Sequence, residues 1–340
     1  MRFASVSVCL LSASIVHAAP QLYVSCEDEG AIGVIDTAKL SVAATWPAGK
    51  RPRGLRLSPD GTRLYVALSG SPKGGPGVDE SKLPPPDRAS DGIGEIDVAT
   101  GHLARILSSG QDPESFDITK DGKTLWVSNE ETAEASIVDV VSGKVRGKVA
   151  VGGEPEGVKL RPDGKQVYVT SEADNTVFAI DTARAKVVGK IATSPRPRVV
   201  VFTPDGKLAY ISSENGATVT VVDAHTAKVL ATIAIPNDGV TGPLGARPMG
   251  MQLSADAATL FVANGRGGTI SVVDTATRKV ARTIVQVGAR PWGLALTADG
   301  KTLFSANGPS NDVSVIDVAA GKVTQKIKTC RSPWGLALGR

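Results

Sequence analysis

Three observations predict that this 340-residue chain is all-β, a seven-bladed β-propeller with four antiparallel strands per blade, its ring closed by pairing N-terminal strands with the C-terminal strand. Apolar runs ending in aspartate recur at Asp36, Asp97, Asp139, Asp181, Asp223, Asp274 and Asp317, in steps of 61, 42, 42, 42, 51 and 43 residues. A second motif, a proline that usually opens Pro-x-Gly, follows each of them at Pro52, Pro113, Pro155, Pro197, Pro248, Pro291 and Pro333, in the same set of steps. Two motifs in lockstep along the chain are a repeat and not a coincidence. Finally, each unit splits into four short apolar or alternating runs. In one unit these are Leu125-Trp126-Val127-Ser128, Ala135-Ser136-Ile137-Val138, Val145 to Val149 and Gly157-Val158-Lys159-Leu160, separated by turns such as Pro162-Asp163-Gly164-Lys165. Such a unit cannot bury both faces alone, so the units pack on one another in a ring. A linear solenoid would need polar terminal caps, and both terminal units follow the consensus.

From the N-terminus, residues 1–18 read as a cleaved export signal: Arg2, the mostly apolar stretch Phe3 to Val16, then small residues in Val16-His17-Ala18-Ala19. Cleavage is expected after Ala18, with Ala19 the second choice; Cys9 lacks the setting of a lipoprotein signal. Residues 19–340 are expected to form one soluble domain, periplasmic or secreted, with no membrane span and as a monomer. This part begins at the second strand of the unit (Leu22-Tyr23-Val24-Ser25) and ends at the first (Trp334-Gly335-Leu336-Ala337-Leu338), so the two ends complete one blade. Cys26 follows the former strand and Cys330 precedes the latter, so antiparallel pairing brings them together; a disulfide is expected in an oxidising compartment.

Composition fits this reading. The 37 glycines and 21 prolines are turn punctuation, and 41% hydrophobic residues suffice for a core. A formal charge of +4, from 38 basic against 34 acidic residues without long runs of one sign, excludes nucleic acid and membrane surfaces as the expected partners.

Leu22-Tyr23-Val24-Ser25, Val167-Tyr168-Val169-Thr170, Leu260-Phe261-Val262-Ala263-Asn264 and Val315-Ile316-Asp317-Val318, with Ser58-Pro59-Asp60-Gly61, resemble the YVTN family of β-propeller repeats. Arg51-Pro52-Arg53-Gly54, Gly153-Glu154-Pro155-Glu156-Gly157, Arg196-Pro197-Arg198 and the stretch Asn307 to Val318 resemble propellers associated with pyrroloquinoline quinone (PQQ)-dependent catabolism. That resemblance implies a periplasmic propeller found beside quinoprotein dehydrogenases, c-type cytochromes and transport components, and names PQQ as a candidate ligand. It implies no settled activity.

In a propeller the Pro-x-Gly loops and the loops after each aromatic-Val strand open on one mouth. Two long insertions, 69–92 and 236–246, belong to it and are expected to lid it in part. Around the mouth stand Arg51, Arg53, Arg196, Arg198, Arg247 and Arg290 with Trp292 and Trp334. Guanidinium groups bind carboxylates or phosphates and aromatic faces stack on planar ligands, so this rim is a candidate anion site. The same arginines have an alternative use as inter-blade ion pairs: Glu27, Glu130, Glu172 and Glu214 fall on adjacent loops, and Glu114, Glu154 and Glu156 on the motif itself. His102 and His225 fall in turns on the opposite face with no second ligand, and there is no Cys-x-x-Cys-His haem motif. Without a histidine, metal or nucleophile constellation, the expected function is non-catalytic: a propeller that binds an anionic small molecule or docks redox or transport partners. The alternative is a lactonase or lyase that uses mouth carboxylates such as the Glu154 and Glu156 pair, with or without a divalent metal.

Overall fold

The computed structural model describes residues 20–74 and 78–339. The expected export signal at 1–18, including Cys9, lies outside the described residues. Seven four-stranded antiparallel sheets carry the chain, as the repeat predicts. In a typical one, Pro155–Leu160, Gln166–Ser171, Thr176–Asp181 and Lys186–Ala192 run from the centre outward. The innermost strands are Pro333–Leu338, Leu55–Leu57, Pro113–Ile118, Pro155–Leu160, Pro197–Phe202, Met251–Leu253 and Pro291–Leu296, which we number as blades 1 to 7. Each neighbours the next and the last neighbours the first, so the ring is closed. Among the described residues no helix is long and apolar enough to cross a membrane.

Burial follows position in the blade. The middle strands, such as Gln166–Ser171, are buried on both faces because a blade lies on each side. The outermost, such as Lys186–Ala192, alternate because one face meets water. The core therefore lies between blades: Trp126, Ile137, Val158, Val169 and Phe178, from blades 3 and 4, form one cluster.

The glycine of Pro-x-Gly marks where adjacent blades touch. A Cβ on Gly157 would lie 2.1 Å from the Arg198 carbonyl oxygen, and one on Gly250 would lie 2.0 Å from that of Trp292. Hydroxyls stitch the same seam. Ser128 Oγ accepts from Ser115 N at 3.1 Å and donates to Glu156 O of the next blade at 2.6 Å. Thr170 Oγ1 does the same for Gly157 N (2.7 Å) and Arg198 O (3.1 Å), and Ser25 Oγ for Gly335 N (2.8 Å) and Arg53 O (2.7 Å). Each such bond contributes on the order of 1 kcal/mol to holding neighbouring blades in register. The repeated aspartates cap hairpins, as Asp139 Oδ1 accepting from Ser142 N at 2.7 Å illustrates; His102 and His225 are exposed in such turns.

Blade 1 is built from both ends of the chain, with Leu22 opposite Leu338, Val24 opposite Leu336 and Cys26 opposite Pro333. The Cys26–Cys330 disulfide locks this seam, with Cα atoms 5.6 Å apart and 304 residues of separation. Because it closes nearly the whole chain into a loop, Cys26→Ser with Cys330→Ser is expected to lower unfolding free energy by about 2–5 kcal/mol. Urea denaturation of the wild type and the double variant under non-reducing conditions measures the difference.

Candidate functional site

The mouth is assembled by the chain entering each inner strand. Six residues preceding the motif proline, Arg51, Asp112, Glu154, Arg196, Arg290 and Ser332, adopt left-handed backbone with φ between 41° and 63°. That conformation is unfavourable for a residue with a Cβ, and the more so before proline, so the fold imposes it. In blade 6 Arg247 follows the 236–246 insertion instead. The side chains after the proline around the ring are Arg53, Glu114, Glu156, Arg198, Met249, Trp292 and Trp334, and all but Met249, which is buried, line the floor of the mouth cavity. The floor is thus charged over four consecutive blades, in the order plus, minus, minus, plus, and apolar over blades 7 and 1.

The charged arc is buried, with Arg53, Glu114, Glu156 and Arg198 all at most 6% exposed. Ions so desolvated need partners. Arg53 contacts Asp112 and Glu114, donates to Pro113 O at 2.8 Å and lies 3.6 Å from Glu130. Arg198 pairs with Glu156 at 2.9 Å, contacts Glu172 and lies 3.6 Å from Glu214. Arg196 pairs with Glu172 at 2.6 Å and with Glu214 at 3.4 Å, and Arg51 with Glu27 at 3.0 Å. Four of the six rim arginines are therefore engaged by carboxylates, most of them across a blade boundary.

Carboxylates outnumber guanidinium groups in this arc, and the surplus shows in their acidity. Burial pushes Glu114 well above the usual carboxylate range, with Glu156 and Asp112 adding to Arg53's incomplete compensation. Burial likewise raises Glu156, against the pull of Arg198, with the charge of Glu130 adding to the rise. Glu130 is raised to about 7 by burial first, then by the charge of Glu114, with Arg53 opposing. Its side chain is 34% exposed to the mouth, so it exchanges protons with water while poised near neutrality.

The other arc differs. Trp292 and Trp334 stack with ring centroids 5.0 Å apart. The Arg290 guanidinium lies 4.6 Å from the Trp292 centroid, and that of Arg198 lies 4.9 Å from it. Arg290 Nε is buried without a hydrogen-bond partner, and burial, then the like charges of Arg198 and Arg266, hold its acidity constant below the guanidinium range. Both arcs line one cavity of about 850 Å³, together with Leu83 and Pro84 to Pro86 of the 69–92 insertion. That loop is tied across the mouth by Arg88, which contacts Glu131, and by Ser71 Oγ donating to Glu131 at 2.8 Å.

The structure thus brings Arg51, Arg53, Arg196, Arg198, Arg290, Trp292, Trp334, Glu114, Glu130, Glu154, Glu156 and Glu214 to the cavity wall. Arg247 and Glu172 do not line it: Arg247 bonds Asn215 Oδ1 at 2.5 Å and Leu244 O at 3.1 Å, and Glu172 lies beneath Arg196 and Arg198. The acid pair is Glu114 with Glu156, across blades, whereas Glu154 is exposed on the rim. Only the first insertion lids the mouth; the second packs behind it, Thr241 N donating to Gly267 O at 3.3 Å. Sequence reading missed Arg266, whose signal is that blade 6 carries Gly265-Arg266 where blades 1, 3, 4 and 5 carry glutamate. Among the described residues no three His, Cys, Asp or Glu side chains are grouped to hold a metal ion.

A family model described as "Lactonase, 7-bladed beta-propeller" matches residues 158–336, just over half of the chain. Among solved structures, the periplasmic gluconolactonase of Pseudomonas aeruginosa is similar with TM-score 0.73 and 22% identity, over 94% of this chain and 99% of that one. A proposed 6-phosphogluconolactonase of Bacteroides fragilis has TM-score 0.74 and 17% identity, over 97% and 100%. Kuenenia stuttgartiensis hydrazine synthase has TM-score 0.73 and 20% identity, over 92% and 99%. At these identities the structures share the fold alone. No curated protein matches the chain in sequence. The family match overturns the expectation of a non-catalytic propeller that binds an anion or docks redox partners, and favours the lactonase alternative. That expectation rested on the lack of a histidine or metal set, which general-base chemistry on a carboxyl does not require.

The raised acidity constant of Glu130 makes stability depend on pH. Below its ordinary value of 4.5 both folded and unfolded chains hold the proton; between there and about 7 only the folded chain does. Its contribution is therefore present at low pH and lost as pH rises through about 7. Glu130→Gln is expected to flatten this part of the decline, read by comparing urea unfolding of wild type and variant at pH 5 and pH 8.

Proposed function

The chain belongs to the seven-bladed β-propeller lactonase family, and on that premise we propose that it hydrolyses a lactone in the mouth cavity, with Glu130 as general base. The observation that carries this reading is a partly exposed carboxyl held near neutrality beside a buried guanidinium, in a cavity large enough for a small cyclic ester.

The step is addition and elimination at the ring carbonyl. Ionised Glu130 takes a proton from water as the water oxygen bonds to the carbonyl carbon. The carbonyl oxygen gains the negative charge, which the guanidinium groups lining the cavity stabilise in a desolvated setting. Collapse breaks the bond from carbon to ring oxygen. The leaving alkoxide takes back the proton that Glu130 holds, and the product is the open hydroxy acid. Burial and the charges of Glu114 and Asp112 keep the ionised form of Glu130 disfavoured and so keep it basic.

The same reading places the protein outside the cytoplasm, supported by the disulfide and the signal-like residues 1–18. Oxidation of a cyclic hemiacetal is one source of a lactone. This accords with the resemblance to propellers found beside PQQ-dependent dehydrogenases.

With a panel of δ- and γ-lactones assayed by acid release, kcat/KM is expected to rise with pH through a single ionisation near 7. Glu130→Gln should lower kcat about 10²- to 10⁴-fold and abolish that limb. Turnover of every lactone at the uncatalysed rate would refute the proposal.

A further inference from the structure

Glutamates recur at the start of the loop after the second strand, and two of them are held by an arginine entering the next blade: Glu27 pairs with Arg51 at 3.0 Å and Glu172 with Arg196 at 2.6 Å. For Glu130 the residue entering the next blade is Glu154, another acid. Glu130 lies 3.6 Å from Arg53 and opens a short 3₁₀ turn, Glu130–Thr132, that Ala133 ends in left-handed backbone at φ 53°. The second residue of that turn, Glu131, is gripped by both arms of the 69–92 insertion: Ser71 Oγ donates to Oε1 at 2.8 Å, and Arg88 Nη2 donates to Oε2. The grip is closed on itself, since Arg88 Nη1 donates to Ser71 Oγ at 3.0 Å and to Asp91 Oδ2 at 3.2 Å. The two arms meet so closely that a Cβ on Gly70 would lie 1.7 Å from the Asp87 carbonyl oxygen. Their base reaches the backbone that holds Glu130: Asp91 Oδ2 accepts from Asp112 N at 3.3 Å, and Asp112 O accepts from Glu130 N at 3.0 Å. A guanidinium fork shared between a carboxylate and a hydroxyl fixes direction as well as distance.

We infer that Arg88 and Ser71, one from each arm of the insertion, are positioning residues: through Glu131 they clamp the turn that carries Glu130 and so set how much water reaches its carboxyl. The inference rests on the lactone-hydrolysing reading above for the use made of Glu130. Burial, the largest cause of that carboxyl's raised acidity constant, acts with the charges of Glu114 and Asp112 and against those of Arg53 and Arg198, and Glu156 feels the charge of Glu130 in turn. Releasing the clamp lets water in and lowers the constant. The charge of Arg88 alone would act the opposite way, because removing a cation disfavours an ionised carboxyl nearby. A clamp and a mere counter-charge thus predict shifts of opposite sign.

The test follows the Glu130 carboxyl-carbon resonance through a pH titration in wild type, Arg88→Met and Ser71→Ala, beside kcat/KM against pH on the lactone panel. Arg88→Met is expected to lower the Glu130 midpoint by about 1 pH unit or more, and Ser71→Ala, which changes no charge, to lower it by less. The limb of kcat/KM should move to lower pH with the midpoint, and kcat should fall on the order of 10²-fold in Arg88→Met, because the base is no longer held in place. Ser71→Ala serves alone if Arg88→Met is recovered poorly. A midpoint unchanged in both variants, or raised in Arg88→Met, would overturn the clamp, and with lactone turnover intact it would leave the hydrolytic reading standing. If no lactone is turned over, yet the midpoint falls in both variants, the clamp stands and the hydrolytic reading falls.

Discussion

Contact between neighbouring inner strands is the constraint from which the rest of this molecule follows. The strands approach so closely that Gly157 and Gly250 have no room for a Cβ, and hydroxyls such as Ser128 and Thr170 bridge from one blade to the next. Seven such contacts must close on themselves, and the chain achieves this by making blade 1 from both ends and fastening it with Cys26–Cys330. One consequence is chemical. Six of the seven approaches to the ring deliver one side chain before the proline and one after it to a shared mouth, so residues about 42 positions apart in sequence become neighbours.

What those neighbours are decides how the mouth behaves. Over blades 2 to 5 the floor runs plus, minus, minus, plus, and burial makes pairing obligatory: Arg53 and Arg198 hold the arc together while burial raises the acidity constants of Glu114 and Glu156 above their ordinary values. The acid surplus falls on Glu130, the member with access to water. Over blades 7 and 1 the floor is Trp292 and Trp334, and there a guanidinium is left without an anion. The raised carboxyl of Glu130 and the unpaired guanidinium of Arg290 thus line one cavity.

Much of the fold was legible from sequence because it depends on periodic features. Pro52 to Pro333 and Asp36 to Asp317 mark the blades, and the positions of Cys26 and Cys330 at complementary strand ends give the closure. The site was legible only as a set of candidates. Which carboxyl pairs with which arginine depends on distances across blade seams, so the apparent Glu154–Glu156 pair gives way to Glu114–Glu156. Arg247 and Arg290 occupy equivalent positions, yet an insertion turns one to Asn215 and leaves the other on the cavity wall. The unusual acidity of Glu130 was hidden for a related reason: it is an ordinary glutamate by type, and only burial and its neighbours raise it to about 7.

The central claim is that this crowded, buried arc holds Glu130 close to neutrality. Carboxyl-carbon NMR titration of glutamate-labelled protein tests it directly. The account predicts one solvent-accessible carboxyl titrating near 7 that disappears in Glu130→Gln, with a mouth pair titrating above the ordinary range. Titration of every mouth glutamate in the ordinary carboxylate range would contradict it.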